Sequence, residues 1–180
     1  MRRIEIDLGA IKHNYAALKK QFAGREVMAV VKANAYGHGM HEVATALEEI
    51  SVDSLATADL SEALELRAAG IHSRLMCWLV LPEDDFDSAL EQEIEIGVSN
   101  FEVLQALPEG IKVHIKVDTG LGRNGFAKSD WHKVFELASR KNVVGIFTHL
   151  ANTSEPEDLK QKDLFDEAVT MAKQAGISGF

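Results

Sequence analysis

One lysine stands where an amine could do covalent chemistry. Lys32 directly follows the apolar run at residues 27–31 and precedes a turn that contains Gly37 and Gly39. The run does not alternate with polar residues, which is typical of a strand covered on both faces in a parallel sheet. Burial disfavours the ammonium form, and a neutral lysine amine is a nucleophile toward aldehydes. Lys32 is therefore a candidate Schiff-base lysine, and the alternative is a lysine that extends from the strand end into water.

A second segment combines the alternation of a strand with four polar side chains. Residues 111–118 alternate β-branched apolar residues with Lys112, His114, Lys116 and Asp118. Because strand side chains alternate between two faces, the four polar residues share one face. In a barrel the apolar face would meet the outer helices, so the polar face predicts a site near the strand's carboxyl end. The alternative is an edge strand of an open sheet with its polar face in water.

A loop with three glycines follows this strand. Gly120, Gly122 and Gly125 have the spacing of a dinucleotide-binding fingerprint, but the next helical pattern begins only near Ser129. The fingerprint requires the helix to begin within the glycine turn and an acidic residue about 20 positions further on, where this chain has Arg140. We therefore interpret the segment as a loop that presents Arg123, whose guanidinium suits a carboxylate or a phosphate.

A histidine follows the next predicted strand. His149 comes just after the apolar run at residues 143–147. In a barrel, residues at the carboxyl ends of the strands line the catalytic face, so His149 would lie at the same face as Lys32 and Arg123. The alternative is a histidine with a purely structural role.

Short apolar strands alternate with amphipathic helices along the whole chain. We predict strands near residues 27–31, 53–57, 74–78, 94–97, 111–117 and 143–147. We predict helices near residues 9–22, 39–49, 59–69, 83–90, 99–107, 129–140 and 157–175. This order implies parallel strands joined by right-handed crossovers, and the short regular units favour a barrel over an open doubly wound sheet. Because a complete barrel needs about 250 residues, the predicted fold is α/β, a truncated (β/α)₈ TIM-type barrel with about six of its strands.

Two predicted helices have recognisable first residues. Asp59 or Ser61 can cap the helix near residues 59–69. Ser99 and Glu102 have the spacing of a capping box, which predicts Ser99 as the cap of the following helix.

The composition limits the classes of partner and compartment. The 180 residues include 28 acidic and 19 basic side chains, with a formal net charge of −9 and no basic run. A nucleic-acid or anionic-membrane partner is therefore not expected. Cys77 is the only cysteine, so no internal disulfide is possible, which is consistent with a reducing compartment. Without an apolar signal core or a stretch long enough to span a bilayer, we expect a cytoplasmic protein.

Several of these segments together resemble the bacterial alanine racemases, a family of pyridoxal-phosphate enzymes of fold type III. Residues 29–39 are similar to the family's cofactor motif, and residues 116–126 are similar to its second motif. Residues 148–151 resemble a third. The resemblance extends over the whole chain, which is about half the length of a family member. It implies that residues 1–180 are the N-terminal part of the cofactor-binding barrel, without the family's C-terminal β domain.

The resemblance also implies roles for individual residues, with pyridoxal phosphate as cofactor and alanine as small-molecule substrate. Lys32 would hold the cofactor as a Schiff base and act as the base on one face of the substrate carbon. Tyr36 would bond the cofactor phosphate, and His149 would lie beside the cofactor ring. Arg123 would neutralise the substrate carboxylate or the cofactor's phenolic oxygen. Lys116 matches a lysine that is often carbamylated in the family, and the carbamate anion would hold Arg123 in place.

For the whole protein, the resemblance implies supply of D-alanine for peptidoglycan and a homodimer in which the partner subunit contributes a tyrosine as the second base. Tyr15 and Tyr36 are the two tyrosines of this chain, and neither matches that base. We therefore expect these 180 residues alone not to racemise at a useful rate. Two alternatives stay open: a non-catalytic pyridoxal-phosphate-binding homeostasis barrel, and a dinucleotide-binding domain.

Overall fold

The computed structural model describes residues 3–180, in which six parallel strands alternate with helices. The chain divides into two compact units. The first consists of the residues up to Leu79 together with Gln92–Ile94, and the second consists of Val80–Glu91 and Glu95–Phe180. Within the described residues, no helix is both long enough and apolar enough to cross a bilayer.

Three parallel strands form the sheet of the first unit, with β2 (Ser54–Thr57) between β1 (Met28–Val30) and β3 (Leu75–Cys77). All three strands are short, and β2 and β3 are buried along their whole length. The elements in chain order are α1 (Leu8–Gln21), β1 (Met28–Val30), α2 (Lys32–Gly37), α3 (Met40–Glu48), β2 (Ser54–Thr57), α4 (Leu60–Ala68) and β3 (Leu75–Cys77).

The second unit repeats this arrangement, with β5 (Lys112–Lys116) between β4 (Ile94–Val98) and β6 (Asn142–Phe147). Trp131 and Phe135 of its helix α7 (Trp131–Ala138) are fully buried, and the Trp131 indole N–H donates to the Phe126 carbonyl at 2.9 Å. The elements in chain order are α5 (Phe86–Glu91), β4 (Ile94–Val98, of which Glu95–Val98 belong to this unit), α6 (Phe101–Ala106), β5 (Lys112–Lys116), a 3₁₀ turn (Lys128–Asp130), α7 (Trp131–Ala138), β6 (Asn142–Phe147) and α8 (Glu155–Gln174).

All six predicted strands are confirmed within one or two residues of their predicted bounds. The edge-strand alternative for β5 is wrong, because β5 pairs on both sides and both His114 and Lys116 are buried.

Asp59 is confirmed as the cap of α4, where its side chain accepts from the Glu62 N–H. The Ser99 cap is wrong: the Asn100 side chain accepts from Val103 N–H at 2.8 Å, because the helix begins one residue later than the box requires.

A tyrosine and an aspartate attach α1 to the amino ends of β1 and β2. The Asp53 N–H donates to the Tyr15 hydroxyl at 2.9 Å, and Asp53 Oδ2 accepts from Lys19 Nζ and from the Val27 N–H, each at 2.6 Å. The hydrogen bonds from Lys19 and Val27 hold the pKa of Asp53 below its ordinary value. Burial raises the pKa of the Tyr15 phenol. Tyr15 is thus part of a structural network and is poorly suited to proton transfer.

Glu48 at the end of α3 fixes the loop that leads into β3. Its Oε1 accepts from the His72 N–H at 2.7 Å, from the Ser73 N–H at 2.6 Å and from the Ser73 hydroxyl at 2.8 Å. Burial acts to raise the pKa of Glu48, but the bonds from Ser73 and His72 together outweigh it and hold the pKa below its ordinary 4.5. Because the folded-state pKa is lowered, the ionised carboxylate stabilises the fold at neutral pH, and this contribution is lost as the pH falls below about 4.5.

We expect Glu48→Gln to lower the free energy of unfolding at neutral pH by about 1 kcal/mol, since a neutral amide is a weaker acceptor than a carboxylate. Between about pH 6 and pH 3 the variant should lose less stability than the unaltered protein, because one titrating carboxylate is gone. Urea unfolding at a series of pH values measures both effects. Glu49→Gln is the matched control, since Glu49 pairs with Lys12 at the surface. An unchanged pH dependence in Glu48→Gln would contradict this account.

Candidate functional site

Lys32 lies just after β1, between two aromatic rings. Its side chain is half-buried, and Nζ lies 5.6 Å from the centre of the Trp78 ring and 5.8 Å from the centre of the Tyr36 ring. Both distances are within the range of cation–π contacts. Among the described residues, no carboxylate pairs with Lys32. The amine is therefore held by aromatic faces, an arrangement that also suits a flat aromatic ligand.

The backbone that follows Lys32 is left-handed. Residues 33–36 have φ between 50° and 55° and ψ between 36° and 51°. For a residue with a Cβ this conformation costs roughly 1–2 kcal/mol, and a run of four is unusual. Gly37 and Gly39 also have positive φ, 86° and 90°, which confirms the predicted glycine turn. Strained backbone of this kind persists only where neighbouring contacts impose it, and it is typical of functional sites.

Asn34 provides one set of those contacts. Its side-chain Oδ1 accepts from the Met40 N–H at 2.8 Å, and its carbonyl accepts from the Gly39 N–H at 3.1 Å. Asparagine tolerates the left-handed region better than most residues, because its short polar side chain bonds the local backbone. The turn is thereby joined to the start of α3.

Tyr36 ends the left-handed run, and its side chain is 64% exposed. The ring contacts the Lys32 amine, so the phenol is presented beside the predicted nucleophile. Tyr36 was predicted as a cofactor-binding residue, and the structure brings it together with Lys32 within the first unit.

Trp78 is a site residue that is not predicted from the sequence. Its indole is half-buried beside the Lys32 amine, and its backbone N–H donates to the Ala58 carbonyl at 3.1 Å, as the Leu79 N–H does at 2.7 Å. A signal was available, since Trp78 directly follows the apolar strand β3 and strand carboxyl ends carry functional residues in such folds.

In the second unit, Lys116 is buried at the carboxyl end of β5. Its side chain is 4% exposed, and Nζ donates a hydrogen bond to Asn124 Oδ1. The amine also lies 5.9 Å from the centre of the Phe147 ring. Because Asn124 is the neighbour of Arg123 in the chain, Lys116 is connected to the loop that carries Arg123.

Asp118 organises that loop. Its Oδ1 accepts from the Gly120 N–H at 2.9 Å and from the Gly122 N–H at 3.1 Å. Two backbone hydrogen bonds close the base of the loop: the Asp118 N–H donates to the Phe126 carbonyl and the Phe126 N–H donates to the Lys116 carbonyl, each at 2.9 Å. The glycine N–H groups that a dinucleotide phosphate would need are thus already bonded to a carboxylate, so the geometry does not favour the dinucleotide alternative.

Arg123 lies near the tip of the loop and is exposed. Within residues 3–180, no carboxylate is bonded to its guanidinium. A guanidinium that has no internal ion pair and stands on a preorganised loop is available to an external carboxylate or phosphate.

His149 is exposed and follows β6 in the same unit. Next to it, the hydroxyls of Thr148 and Thr119 are hydrogen-bonded at 2.8 Å, which joins the ends of β6 and β5. His149 therefore belongs to the same pair of strand ends as Lys116 and the Arg123 loop.

A buried, hydrogen-bonded pair of side chains supports these strand ends from within the sheet. His114 Nε2–H donates to Glu95 Oε2 at 2.7 Å, and the two residues are 8% and 2% exposed. Lys112 Nζ lies 3.8 Å from the other oxygen of Glu95. A Cβ on Gly145 would lie 2.2 Å from His114 Nδ1, so the imidazole needs a glycine at this position of β6. His114 and Lys116 lie on the same face of β5, so the pair supports the strand next to the buried lysine.

The two units thus contribute different chemistry. The first places a lysine amine between aromatic rings, and the second places a guanidinium and a buried amine on adjoining strand ends. The structure brings Lys32 together with Tyr36, and separately groups Lys116, Arg123 and His149. Within the described residues, no cluster of histidine, cysteine and carboxylate side chains is suited to hold a metal ion.

Comparisons with known proteins show the family to which the chain is related. Residues 6–179 match the family model described as "Alanine racemase, N-terminal domain". The alanine racemase of Corynebacterium glutamicum is 39% identical over 96% of this chain and 51% of its own length, and that of Thermobifida fusca is 38% identical over 96% of this chain and 50% of its own. The crystal structure of the C. glutamicum enzyme superposes with a TM-score of 0.90 at 38% identity, covering 97% of this chain and 53% of that chain.

The structural likeness confirms the predicted α/β fold, with six parallel strands of the barrel type. The chain spans about half the length of the curated relatives it matches.

Proposed function

We propose that this chain, which belongs to the alanine racemase family, forms the part of a racemase that holds pyridoxal phosphate and one of its two catalytic bases. The proposed reaction of the whole protein is the interconversion of L-alanine and D-alanine. The observation that carries the proposal is the Lys32 amine, half-buried at the end of β1 between the Tyr36 and Trp78 rings. Residues 1–180 would be the N-terminal part of the barrel.

The residues of the first unit fit the cofactor. Lys32 supplies an amine for its aldehyde, the rings of Tyr36 and Trp78 supply apolar faces for its aromatic ring, and the exposed Tyr36 hydroxyl supplies a donor for its phosphate. When bound, pyridoxal phosphate acts as an electron sink for the charge that develops as the α-proton leaves the substrate.

Lys32 is also the proposed base on one face of the substrate carbon. Its amine lies beside the Tyr36 and Trp78 rings, and within the described residues no carboxylate pairs with it. In its neutral form, a lysine amine within reach of the substrate carbon can take a proton from it.

Arg123 is the proposed anchor for the substrate carboxylate or for the phenolic oxygen of the cofactor. Its exposed guanidinium on a loop held by Asp118 is suited to orient a planar anion. Lys116 is the proposed carbamylation site. Its connection to Asn124 would place a carbamate anion next to the Arg123 loop and hold the guanidinium in place. His149 is proposed to lie beside the cofactor ring.

Racemisation needs a base on each face of the substrate carbon, and these residues provide one. Tyr15 is bonded to Asp53 and Val27, and Tyr36 stands on the same side as Lys32. We propose that the second base is a tyrosine from the partner subunit of a homodimer, and that residues 1–180 alone do not racemise at a useful rate. On the family relationship, we further propose a cytoplasmic enzyme that supplies D-alanine for peptidoglycan.

An assay of D-alanine formation from L-alanine tests this function. The whole gene product that carries this chain is incubated with pyridoxal phosphate and L-alanine, in parallel with residues 1–180 alone. We expect D-alanine from the whole product and none above background from the shorter chain. A whole product that takes up the cofactor at Lys32 but forms no D-alanine would instead support the non-catalytic cofactor-binding alternative.

Trp78 should contribute directly to cofactor affinity. We expect Trp78→Ala to weaken binding of pyridoxal phosphate about tenfold, because a stacked aromatic contact is worth about 0.5–1.5 kcal/mol beyond its buried area. Trp78→Phe should retain most of the affinity, since it keeps an aromatic face. Titration followed by absorbance measures both. Phe22→Ala, which removes an exposed ring at the end of α1, is the control, and equal affinities for Trp78→Ala and Phe22→Ala would refute the role.

A further inference from the structure

The Glu62 carboxylate bonds the backbone at the carboxyl ends of two strands. Its Oε1 accepts from the Ala33 N–H at 2.6 Å, and its Oε2 accepts from the Ala58 N–H at 2.9 Å. Ala33 is the residue directly after Lys32, and Ala58 directly follows β2. A single side chain from α4 thus connects the backbone next to the candidate nucleophile with the end of the neighbouring strand.

Local contacts hold Glu62 in position to do this. Asp59 Oδ1 accepts from the Glu62 N–H at 3.0 Å and from the Ser61 hydroxyl at 2.7 Å, which fixes the first turn of α4. A carboxylate in the first turn of a helix is also favoured by the helix dipole. The orientation of Glu62 therefore follows from the start of the helix that carries it.

The hydrogen bonds of Ala58 also connect Glu62 with Trp78, the second aromatic neighbour of the Lys32 amine. While the Ala58 N–H donates to Glu62, the Ala58 carbonyl accepts from the N–H groups of Trp78 and Leu79, at 3.1 and 2.7 Å. The carboxylate therefore takes part in one hydrogen-bonded chain that joins the ends of β1, β2 and β3. The two aromatic neighbours of Lys32 stand at either end of this chain, Tyr36 on the left-handed turn and Trp78 after β3.

The left-handed run at residues 33–36 explains why such a contact is needed. Each of these residues carries a Cβ, so none prefers the conformation that it has here. The Ala33 N–H is the first donor of the run, and a charged acceptor at 2.6 Å makes a hydrogen bond of the strong class. Contacts from outside the turn must impose its conformation, and Glu62 makes one at the first strained residue.

We propose that Glu62 is a positioning residue for Lys32. By holding the Ala33 and Ala58 peptides, its carboxylate fixes the left-handed turn and so keeps the Lys32 amine between Tyr36 and Trp78, ready to react with the aldehyde of pyridoxal phosphate. The inference rests on the proposed function, because it assigns Glu62 a part in the reactivity of Lys32 toward that cofactor.

The test uses Glu62→Gln in the whole gene product. Glutamine has the same shape but only one acceptor oxygen, so its amide NH₂ faces one of the two N–H groups. The matched control is Glu65→Gln on the same helix, where the carboxylate is 60% exposed and pairs with His41. Two quantities are measured: the exchange rates of the Ala33 and Ala58 amide hydrogens without cofactor, and the labelling of Lys32 by pyridoxal phosphate and borohydride.

We expect Glu62→Gln to speed exchange at one or both amides about tenfold or more and to weaken cofactor attachment at Lys32 about tenfold, which corresponds to the loss of one strong hydrogen bond. Glu65→Gln should change neither. Faster exchange with unaltered labelling would make Glu62 merely structural and would overturn the inference, as would unaltered exchange.

Two further outcomes keep the test decisive. If Glu62→Gln does not fold, Glu62→Asp replaces it, since aspartate keeps two acceptor oxygens on a shorter side chain. In Glu62→Asp we expect faster amide exchange together with weaker labelling of Lys32, both changes being smaller than those expected for Glu62→Gln. Faster exchange with an unaltered labelling yield in Glu62→Asp would overturn the inference. If the unaltered protein takes no label at Lys32, the proposed function fails, and hydrogen exchange alone decides whether Glu62 holds the turn.

Discussion

Replacing Lys32 with alanine is expected to slow the interconversion of L- and D-alanine by the whole protein about 10³-fold or more. A positioned general base alone contributes about 10²–10⁴-fold, and Lys32 is also the proposed point of covalent attachment for the cofactor. The amine lies between Trp78 and Tyr36, and within the described residues those rings have no second lysine beside them. Initial rates of D-alanine formation at saturating cofactor measure the effect.

Two comparisons separate this prediction from a loss of folding. Lys20→Ala removes an exposed lysine from α1 in the same unit and should leave the rate unchanged. Adding a small primary amine to Lys32→Ala should restore part of the activity, because the amine can enter the space that the side chain leaves. A Lys32→Ala variant that is folded and keeps more than about a tenth of the rate would contradict both proposed roles of Lys32.

His114→Ala is expected to lower the free energy of unfolding of the second unit by about 3–5 kcal/mol. The substitution removes the imidazole that Glu95 bonds at 2.7 Å and leaves the buried carboxylate with Lys112 at 3.8 Å. Breaking a buried pair from one side is costly, because the remaining charge stays away from water. Urea unfolding measures the change. His132→Ala removes an exposed histidine from α7 and should cost little, so equal effects in the two variants would refute the prediction.

Gly145 provides an independent check on the same buried group. A Cβ at this position would lie 2.2 Å from His114 Nδ1, so Gly145→Ala should destabilise the unaltered protein by about 1–3 kcal/mol. In a protein that already carries His114→Ala, the space is empty and the added methyl group should cost much less. If the two substitutions have strictly additive effects on the free energy of unfolding, the His114 imidazole is not the group that excludes a side chain at position 145.

Much of the fold could be predicted because it depends on local patterns. The two-residue alternation in β5 places His114 and Lys116 on one face, and the structure buries both. The position of Lys32 after an apolar run placed it correctly at the end of a strand, and Gly37 and Gly39 indicated the turn behind it. Each of these inferences needs only residues that are close together in the chain.

The contacts that the sequence analysis missed join residues that are far apart in the chain. Glu62 bonds the N–H of Ala33, 29 positions earlier, and nothing in the local sequence distinguishes it from an ordinary acidic residue in the first turn of a helix. The left-handed conformation of residues 33–36 was missed for the same reason. Ordinary alanine and tyrosine side chains do not favour it, and it is imposed by contacts that the local pattern does not reveal.

The most direct test of the central claim is to find which lysine the cofactor modifies. The whole gene product is treated with pyridoxal phosphate, reduced with borohydride, digested, and its modified peptides are identified by mass spectrometry. We predict a single pyridoxyl adduct at Lys32, present at one equivalent per chain and lost in Lys32→Ala. Labelling spread over exposed lysines such as Lys20, or no stable label at all, would contradict the assignment of Lys32 as the cofactor-binding lysine.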